Sequence, residues 1–352
     1  MVSATSEDSK MAVGLSEADW PPETGRRLSV TRRFLLRPET GGFVSAAVVF
    51  SFFAVVAGGN GFLSRLGTAD WVDGASQLGL VALPLGLLMI AGEFDLSIGS
   101  VVGATSIIVA ICSGYYSLSP WIGIALSVVF GILVGLANGL ITIWTKLPSF
   151  IVTLSSLLMI SGGALGVSNW LTSASNITAE PVGSAPGVFA SSWEGFDVSI
   201  LWWLGLVGAA TYVLQRTSFG NWVYATGGNA ETARLAGVPT NRVKVSLFVA
   251  TSLGAVLAGV VETLTFRDGN VTLGAQYVFT GIAAVVIGGV LLAGGYGSAI
   301  GTVFGSITYG IVSIGVFFLG WNADLTELFI GVFLLLAVVA NKRLRQMAVG
   351  RA

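Results

Sequence analysis

The stretch that decides the fold runs from Leu96 to Thr145 and reads LSIGSVVGATSIIVAICSGYYSLSPWIGIALSVVFGILVGLANGLITIWT. It contains 50 residues without one charged side chain. A bilayer core is ~30 Å thick, and an α-helix that rises ~1.5 Å per residue crosses it in about 20 residues. The stretch is therefore too long for one crossing, and the turn-like SGYYSLSP at 113–120 divides it into two predicted membrane-spanning helices.

Dividing the rest of the chain at its charged residues gives further apolar segments of spanning length. Gly269–Ala323 is again too long for one helix, and AGGYGS at 293–298 predicts its break. The sequence thus predicts an all-α polytopic membrane protein with about ten transmembrane helices. The segments are Thr40–Ser64, Gly74–Gly92, the two parts of Leu96–Thr145, the first twenty-odd residues of Leu147–Ala179, Val198–Gln215, Val245–Val261, the two parts of Gly269–Ala323, and Leu328–Asn341.

The composition of the 352-residue chain excludes the ordinary soluble classes of protein. Hydrophobic residues make up 54% and charged residues 10%, whereas soluble domains average about 25% charged residues. The chain has no histidine and one cysteine, Cys112, so we expect no metal site and no catalytic constellation. No glycine-rich phosphate loop precedes any of its lysines, and we expect no nucleotide or other cofactor on this chain. A net charge of −1 does not favour nucleic acid as a partner.

The lysines and arginines follow the positive-inside rule if the N-terminus is cytoplasmic. With ten spans, 15 of the 17 fall on the inside, and Arg65 and Arg267 fall on the outside. The C-terminus is then cytoplasmic as well.

This topology predicts three regions along the chain. Residues 1–39 are polar and of mixed charge, and we expect a flexible cytoplasmic tail. Residues 40–345 form the transmembrane domain, and residues 346–352 form a second cytoplasmic tail. The longest outside loop is 168–197, and the longest inside loop is 216–244.

Two glycine series recur at intervals of four residues. Four-residue spacing places glycines on one face of a helix, where another helix can approach closely. Tight helix packing is the interpretation we favour, and a sliding or gating surface is the alternative. The glycines are Gly131, Gly135 and Gly139 in the fourth span and Gly297, Gly301 and Gly305 in the ninth.

The segment GEFDLSIGS at 92–100 interrupts the apolar sequence with two carboxylates, Glu93 and Asp95. Asp95 and Ser97 precede an apolar run and are able to accept hydrogen bonds from free N–H groups at a helix start. A broken segment at membrane depth that lines a cavity or hinge is a second, compatible interpretation. Polar residues within the spans, such as Asn138, are expected to bond across helices.

The inside loop FGNWVYATGGNAETARLAGVPTNRVK at 219–244 contains a predicted short helix over Glu231–Ala236. Asn229 is the expected N-cap, and Gly237 with Pro239 beyond it is the expected stop. A structured helix is more than a connecting loop needs, although a solvated interfacial helix remains the alternative.

Four ordered motifs in the sequence point to a known family. They are GEFDLSIGS (92–100), GLANGLITIWTKLPSFIVTLSSLLMISGGA (135–164), YATGGNAETARLAGV (224–238) and GIAAVVIGGVLLAGGYGSAIGTVFG (281–305). At these motifs the sequence resembles the permease subunits of bacterial ABC importers for monosaccharides, of the ribose, xylose, arabinose and galactose type. The resemblance covers about residues 42–345. Glu93 stands where the family has a second glycine, and Phe94 where it has Ile or Val.

The resemblance implies a ten-helix fold of the type shared with the vitamin B12 importer, in the bacterial inner membrane. It also implies the partners: a separate ATPase that carries ATP and Mg²⁺, a periplasmic or lipid-anchored sugar-binding protein, and a second permease subunit, identical or paralogous. The residues it assigns to ATPase coupling are Gly228, Asn229, Ala230, Ala233, Arg234, Leu235 and Gly237. Those it assigns to a translocation or gating motif are Asp95, Leu96, Ser97, Gly99 and Asn138.

The resulting hypothesis is ATP-driven import of a small neutral sugar, without covalent chemistry on this chain. Three alternatives stay open from the sequence. One is a permease of the same superfamily for nucleosides or another small solute. The others are a secondary transporter driven by an ion gradient, and an integral-membrane enzyme, for which no catalytic constellation is visible.

Overall fold

The computed structural model describes residues 37–180, 183–322 and 324–349. Most of the predicted N-terminal tail and the end of the predicted C-terminal tail lie outside the described residues. The division of the chain into two tails and a transmembrane domain therefore stays a prediction.

The described part of the chain is mainly helical, with four very short strands. The helices are α1 (Pro38–Val56), α2 (Arg65–Ile90), α3 (Ile98–Ala110), α4 (Pro120–Thr145), α5 (Ser149–Thr172), α6 (Ala185–Phe189), α7 (Ser199–Arg216), α8 (Ser218–Gly228), α9 (Ala230–Leu235), α10 (Thr240–Phe266), α11 (Tyr277–Ile287), α12 (Ala299–Phe318) and α13 (Leu325–Val349). The strands are β1 (Asn176–Thr178), β2 (Ser192–Trp193), β3 (Phe196–Asp197) and β4 (Asp268–Asn270).

Within the described residues, seven helices are long and apolar enough to cross a membrane. Three helices that correspond to predicted spans are not among these seven: α7, α11, and α13, of which the part Leu325–Leu336 is apolar but shorter than a span. The α11 helix has only 11 residues. The chain is thus a multi-pass helical protein, and length and composition alone support seven of the ten predicted spans. The seven are Glu39–Val56 in α1, α2, Ile98–Tyr115 (α3 with the turn after it), α4, α5, α10 and α12.

Both predicted breaks in the long uncharged stretches are confirmed. The first lies at a π-helical turn, Ile111–Tyr115, after which Pro120 begins α4. Proline suits this position because the first turn of a helix has no partner for the missing N–H. The second break lies between the end of α11 and Ala299, the first residue of α12.

Contacts between distant loops define two ends of the helix bundle. At the first end, β1 pairs with β4 in antiparallel register, and the Arg65 guanidinium lies 3.0 Å from the Glu194 carboxylate. Asn60 Nδ2 also donates to the carbonyl of Phe318 there, at 3.0 Å. At the second end, Lys244 Nζ lies 2.5 Å from Glu93 Oε1.

These contacts show how α7 is placed, although α7 is not among the seven helices that are apolar enough to cross a membrane. β1 precedes α7 and β4 follows α10, yet the two strands pair at the same end. Because α10 is a full-length apolar helix, the chain returns to that end only if α7 also runs the length of the bundle.

The short α11 helix begins part-way along the bundle because the chain before it, 271–276, is not helical. A Cβ atom on Gly99 would lie 2.6 Å from the carbonyl of Gly274, and one on Gly103 would overlap the carbonyl of Val271. The non-helical chain therefore packs directly on the backbone of α3. Irregular backbone at membrane depth is tolerated where protein covers it.

Most of the glycine series have the packing role that we favoured. Gly135 faces α10, where an added Cβ would lie 2.5 Å from Val249 Cα. Gly301 and Gly305 are likewise buried against the carbonyls of Gly288 and Ala284. Gly131 and Gly139, which stand one turn before and after Gly135, also face α10.

Gly297 departs from the predicted series. It precedes α12, which begins at Ala299, so it does not share the helix face of Gly301 and Gly305. Its φ of +152° belongs to the turn before the helix, and its neighbours are Val290 and Ile90. Four-residue spacing was misleading here because the helix starts two residues later than the pattern.

We expect Gly135→Ala to lower the stability of the protein by about 1–3 kcal/mol, because the new methyl group overpacks the contact between α4 and α10. Thermal unfolding of the purified chain in detergent measures this effect. Gly162→Ala is the matched control, since nothing lies within 4 Å of a Cβ at that position. Equal unfolding temperatures for the two variants would contradict the packing role.

Candidate functional site

The α2 helix ends at Ile90, and the next helix does not begin until Ile98. We call residues 91–97 between them the broken segment. Gly92 adopts a φ of +87°, a conformation that glycine reaches without steric cost. The chain thereby leaves the helical path, and the backbone N–H groups of the residues that follow need partners outside the helix.

Two hydroxyl groups on α5 supply those partners. The N–H of Phe94 donates to Ser149 Oγ at 3.0 Å, and the N–H of Leu96 donates to Thr153 Oγ1 at 3.1 Å. Both hydroxyls lie one turn apart on the same face of α5, and both are buried. The broken segment is therefore held against α5 by hydrogen bonds that replace those of a continuous helix.

A buried chain of polar side chains links the broken segment to α4 and α5. Ser156 Oγ donates to Asn138 Oδ1, and Asn138 Nδ2 donates to Ser97 Oγ at 2.9 Å. Ser97 in turn donates to the carboxylate of Asp95 through both its hydroxyl and its N–H group. Asp95 and Ser97 are fully buried. We call these four residues the polar network.

The expectation that Asp95 accepts a backbone N–H at a helix start is confirmed. The same expectation is wrong for Ser97. Ser97 occupies the N-cap position of α3, but its side chain caps no backbone group. The reason is that its hydroxyl already accepts from Asn138 and donates to Asp95.

The predicted inside helix forms one residue earlier than expected, as α9 (Ala230–Leu235). Asn229 is its N-cap, as predicted, and Asn229 Oδ1 accepts from the N–H of Thr232 at 2.9 Å. At the other end Gly237 has a φ of +86°. The N–H of Val238 bonds the carbonyl of Ala233, the pattern of a Schellman motif. Both ends of this six-residue helix are therefore fixed.

The side chains of α9 divide into a buried and an exposed set. Ala233 is buried, whereas the Leu235 side chain is 78% exposed. Arg234 and Glu231 form an exposed ion pair at 2.8 Å, which contributes little to stability. The helix thus presents an apolar side chain and an ion pair to solvent, and it is capped at both ends.

The end of α8, immediately before α9, is wedged between two other chain segments. The N–H of Gly295 donates to the carbonyl of Ile90 at 2.8 Å. Gly227 lies against both, and a Cβ there would lie 2.6 Å from Gly295 N. We call the contact of Ile90, Gly92, Gly227, Gly294 and Gly295 the glycine junction.

Tyr224 reinforces the glycine junction from α8. Its hydroxyl donates to the carbonyl of Gly297 at 2.9 Å. Burial, with a smaller contribution from the charge of Glu39, raises the pKa of Tyr224 above its ordinary value. The phenol therefore stays protonated and keeps its role as donor.

Sequence reasoning missed the ion pair between Glu93 and Lys244. The two side chains lie 2.5 Å apart, with 11% and 21% exposure respectively. They join the broken segment to α10. The signal available in the sequence was the departure of Glu93 from the family glycine, with no indication of its partner.

At the first end of the bundle, acidic groups lie close together. Asp73 accepts from the N–H of Asp197 at 3.0 Å. Burial and the nearby charge of Asp70 raise the pKa of Asp197 above its ordinary value.

No group of three or more metal-ligating side chains occurs among the described residues.

A cavity of about 370 Å³ lies between α3, α4 and α5. Its lining is apolar and includes Ile107, Phe130, Met159 and Ile160. None of the lining residues has a side chain that could hydrogen-bond a sugar, and none belongs to the polar network.

The chain resembles proteins of one family along most of its length. Residues 68–338 match the family described as branched-chain amino acid transport system / permease component. The inner membrane ABC transporter permease protein YjfF of Escherichia coli is 31% identical to this chain. The match covers 81% of this chain and 86% of the length of YjfF.

Two further relatives are named for the sugars that they import. The fructose import permease protein FrcC of Rhizobium meliloti is 31% identical to this chain, over 84% of this chain and 83% of the length of FrcC. The ribose import permease protein RbsC of Escherichia coli is 29% identical to this chain, over 75% of this chain and 82% of the length of RbsC. No solved structure matches the chain. By the extent of these matches, the chain is a multi-pass membrane protein that belongs to this family of ABC transporter permeases.

Proposed function

We propose that this chain is the permease subunit of an ATP-driven ABC importer that moves a monosaccharide into the cytoplasm. The observation that carries the proposal is α9, a helix capped at both ends that presents Leu235 to solvent. Within a permease family, such a helix is suited to receive force from a separate ATPase. The two relatives named for fructose and ribose support a monosaccharide as the substrate.

The proposed topology has ten spans, with both termini in the cytoplasm of a bacterium and the bundle in its inner membrane. Every pairing described for the first end joins loops that the positive-inside rule places outside. The glycine junction and the pair of Glu93 and Lys244 join loops that it places inside. A missing crossing in the middle of the chain would put paired loops on opposite sides, and this consistency supports α7 and α11 as spans.

The proposed assembly has three kinds of partner besides membrane lipid. A separate ATPase, which carries ATP and Mg²⁺, binds α9 on the inside. A periplasmic or lipid-anchored sugar-binding protein docks on the outside, where loop 168–197 lies. A second permease subunit, identical or paralogous, completes the pathway in an architecture like that of the vitamin B12 importer.

The residues divide by role in this proposal. The coupling set surrounds α9, from Gly228 to Gly237. The gating set is Asp95, Leu96 and Ser97 of the broken segment, with Gly99 and Asn138. The hydrogen bonds of the broken segment with α4 and α5 permit a helix start inside the membrane. No fixed charge is needed along the pathway, because a neutral polyol carries none.

Reconstitution tests the proposal as a whole. The chain in proteoliposomes with its ATPase and binding protein should accumulate labelled ribose, xylose, galactose or fructose only when ATP is supplied. Unlabelled sugar should compete for uptake, and uridine should not. Accumulation that persists without the ATPase would identify an ion-coupled transporter, and competition by uridine alone would identify a nucleoside permease.

The double variant Arg234→Glu with Leu235→Asp should abolish binding of the ATPase and ATP-driven uptake. It replaces the exposed apolar contact and reverses the adjacent charge without altering the buried Ala233. Co-purification of the ATPase and uptake in vesicles are the measurements. If both survive the substitution, α9 is not the docking helix.

Asn138→Ala should lower the stability of the protein by about 1–2 kcal/mol, because the Ser156 hydroxyl loses its buried acceptor and the Ser97 hydroxyl loses its buried donor. Unfolding in detergent measures this change. Ser155→Ala is the control, since the exposed Ser155 hydroxyl bonds only the carbonyl of Ile151 on its own helix. An Asn138 variant as stable as this control would mean that the polar network does not hold the broken segment.

A further inference from the structure

Glu93 and Lys244 connect two regions for which sequence reasoning gave separate roles. Glu93 belongs to the broken segment, and Lys244 is the fifth residue of α10. Only four residues, 236–239, separate α10 from α9. The ion pair is therefore a side-chain link between the broken segment, which contains the gating residues Asp95 to Ser97, and the element that follows the coupling helix.

The surroundings of the ion pair make it more than a surface contact. Glu93 and Lys244 are 11% and 21% exposed, so solvent screens their attraction less than it screens an exposed pair. The comparison within this chain is the pair of Arg65 and Glu194, whose side chains are 59% and 53% exposed. Removing one partner of the shielded pair leaves the other in a poorly solvated position.

The glycine junction supplies a second connection between the same regions. It clamps the residue before the coupling set, Gly227, against the end of α2 and the turn before α12. Gly294 stands so close to Gly92 that a Cβ on it would lie 2.8 Å from Gly92 Cα. Backbone segments in such contact have no side chains between them that could adapt to sliding.

We propose that Glu93 and Lys244, together with the glycine junction, form a strut that makes the coupling helix and the broken segment move as one body. This inference rests on the proposed function of α9. Glu93 and Lys244 are then positioning residues for energy coupling. The junction holds the segments on the α8 side of α9, and the ion pair holds them on the α10 side, so motion at α9 reaches the polar network from both flanks.

The test uses the full chain reconstituted with its ATPase and binding protein. Glu93→Gln and Lys244→Gln should each lower sugar uptake per ATP hydrolysed by about five-fold or more, the lower range of energetic coupling between sites. Co-purification of the ATPase should stay near that of the unmodified chain, and the unfolding temperature should fall because one charge is left unpaired. A merely structural pair would instead lower uptake and ATP hydrolysis in proportion, so that uptake per ATP would not change.

The swapped double variant, Glu93→Lys with Lys244→Glu, should recover at least about half of the lost coupling, because it restores the attraction with opposite polarity. Lys146→Gln is the charge-matched control, since Lys146 is exposed and lies between α4 and α5, outside both sets. Single variants with unchanged uptake per ATP, or a swap as impaired as the single variants, would overturn the strut.

Cross-linking keeps the inference testable if the single variants do not fold. Cys112 is the one native cysteine, so Glu93→Cys and Lys244→Cys are introduced with Cys112→Ser. Joining them with a short bis-maleimide should leave ATP-driven uptake intact, because the two positions do not move apart. Uptake abolished by the link would show that the pair opens during the cycle. Failure of the unmodified chain to import sugar with ATP would instead refute the proposed function.

Discussion

The whole structure depends on one constraint, which is that backbone N–H and C=O groups inside a membrane must be satisfied by protein. Continuous helices meet it by themselves, but this chain interrupts its helices at the broken segment and again at 271–276. At the first interruption the hydroxyls of Ser149 and Thr153 accept the free N–H groups. At the second, glycines on α3 let the irregular chain pack on a helix backbone. Polar and glycine residues thus occur where the helices stop.

The same constraint explains which parts of the structure were predictable. Uncharged runs longer than one span and the turn-like SGYYSLSP identify breaks from local sequence, and Asn229 and Gly237 identify the ends of α9. Each of these signals lies within a few residues of its effect. The polar network was not predictable, because Asn138 and Ser97 are 41 positions apart in the chain and their hydrogen bond is set by helix packing.

Two errors show how local patterns mislead. Gly297 continues a four-residue spacing by sequence, but the helix that would give the spacing meaning starts only at Ala299. Ser97 has the residue type of an N-cap, yet side chains from α4 and from its own segment occupy its hydroxyl. In both cases tertiary contacts overrode a valid local preference. The α7 helix illustrates the reverse: it is not among the seven apolar spanning helices, yet the pairing of β1 with β4 requires it to run the length of the bundle.

An importer of this design has to transmit movement through elements that are themselves interrupted. A continuous helix transmits force along its axis, whereas a broken segment transmits it only if contacts on its flanks are stiff. Small residues stiffen a contact by bringing two backbones together without intervening side chains. A shielded ion pair adds an attraction between two particular residues, which fixes how the segments sit against each other. A glycine in place of Glu93 would keep the first contribution and lose the second. Because Glu93 is largely shielded from solvent, Lys244 at the start of α10 supplies the cation that pairs with its carboxylate.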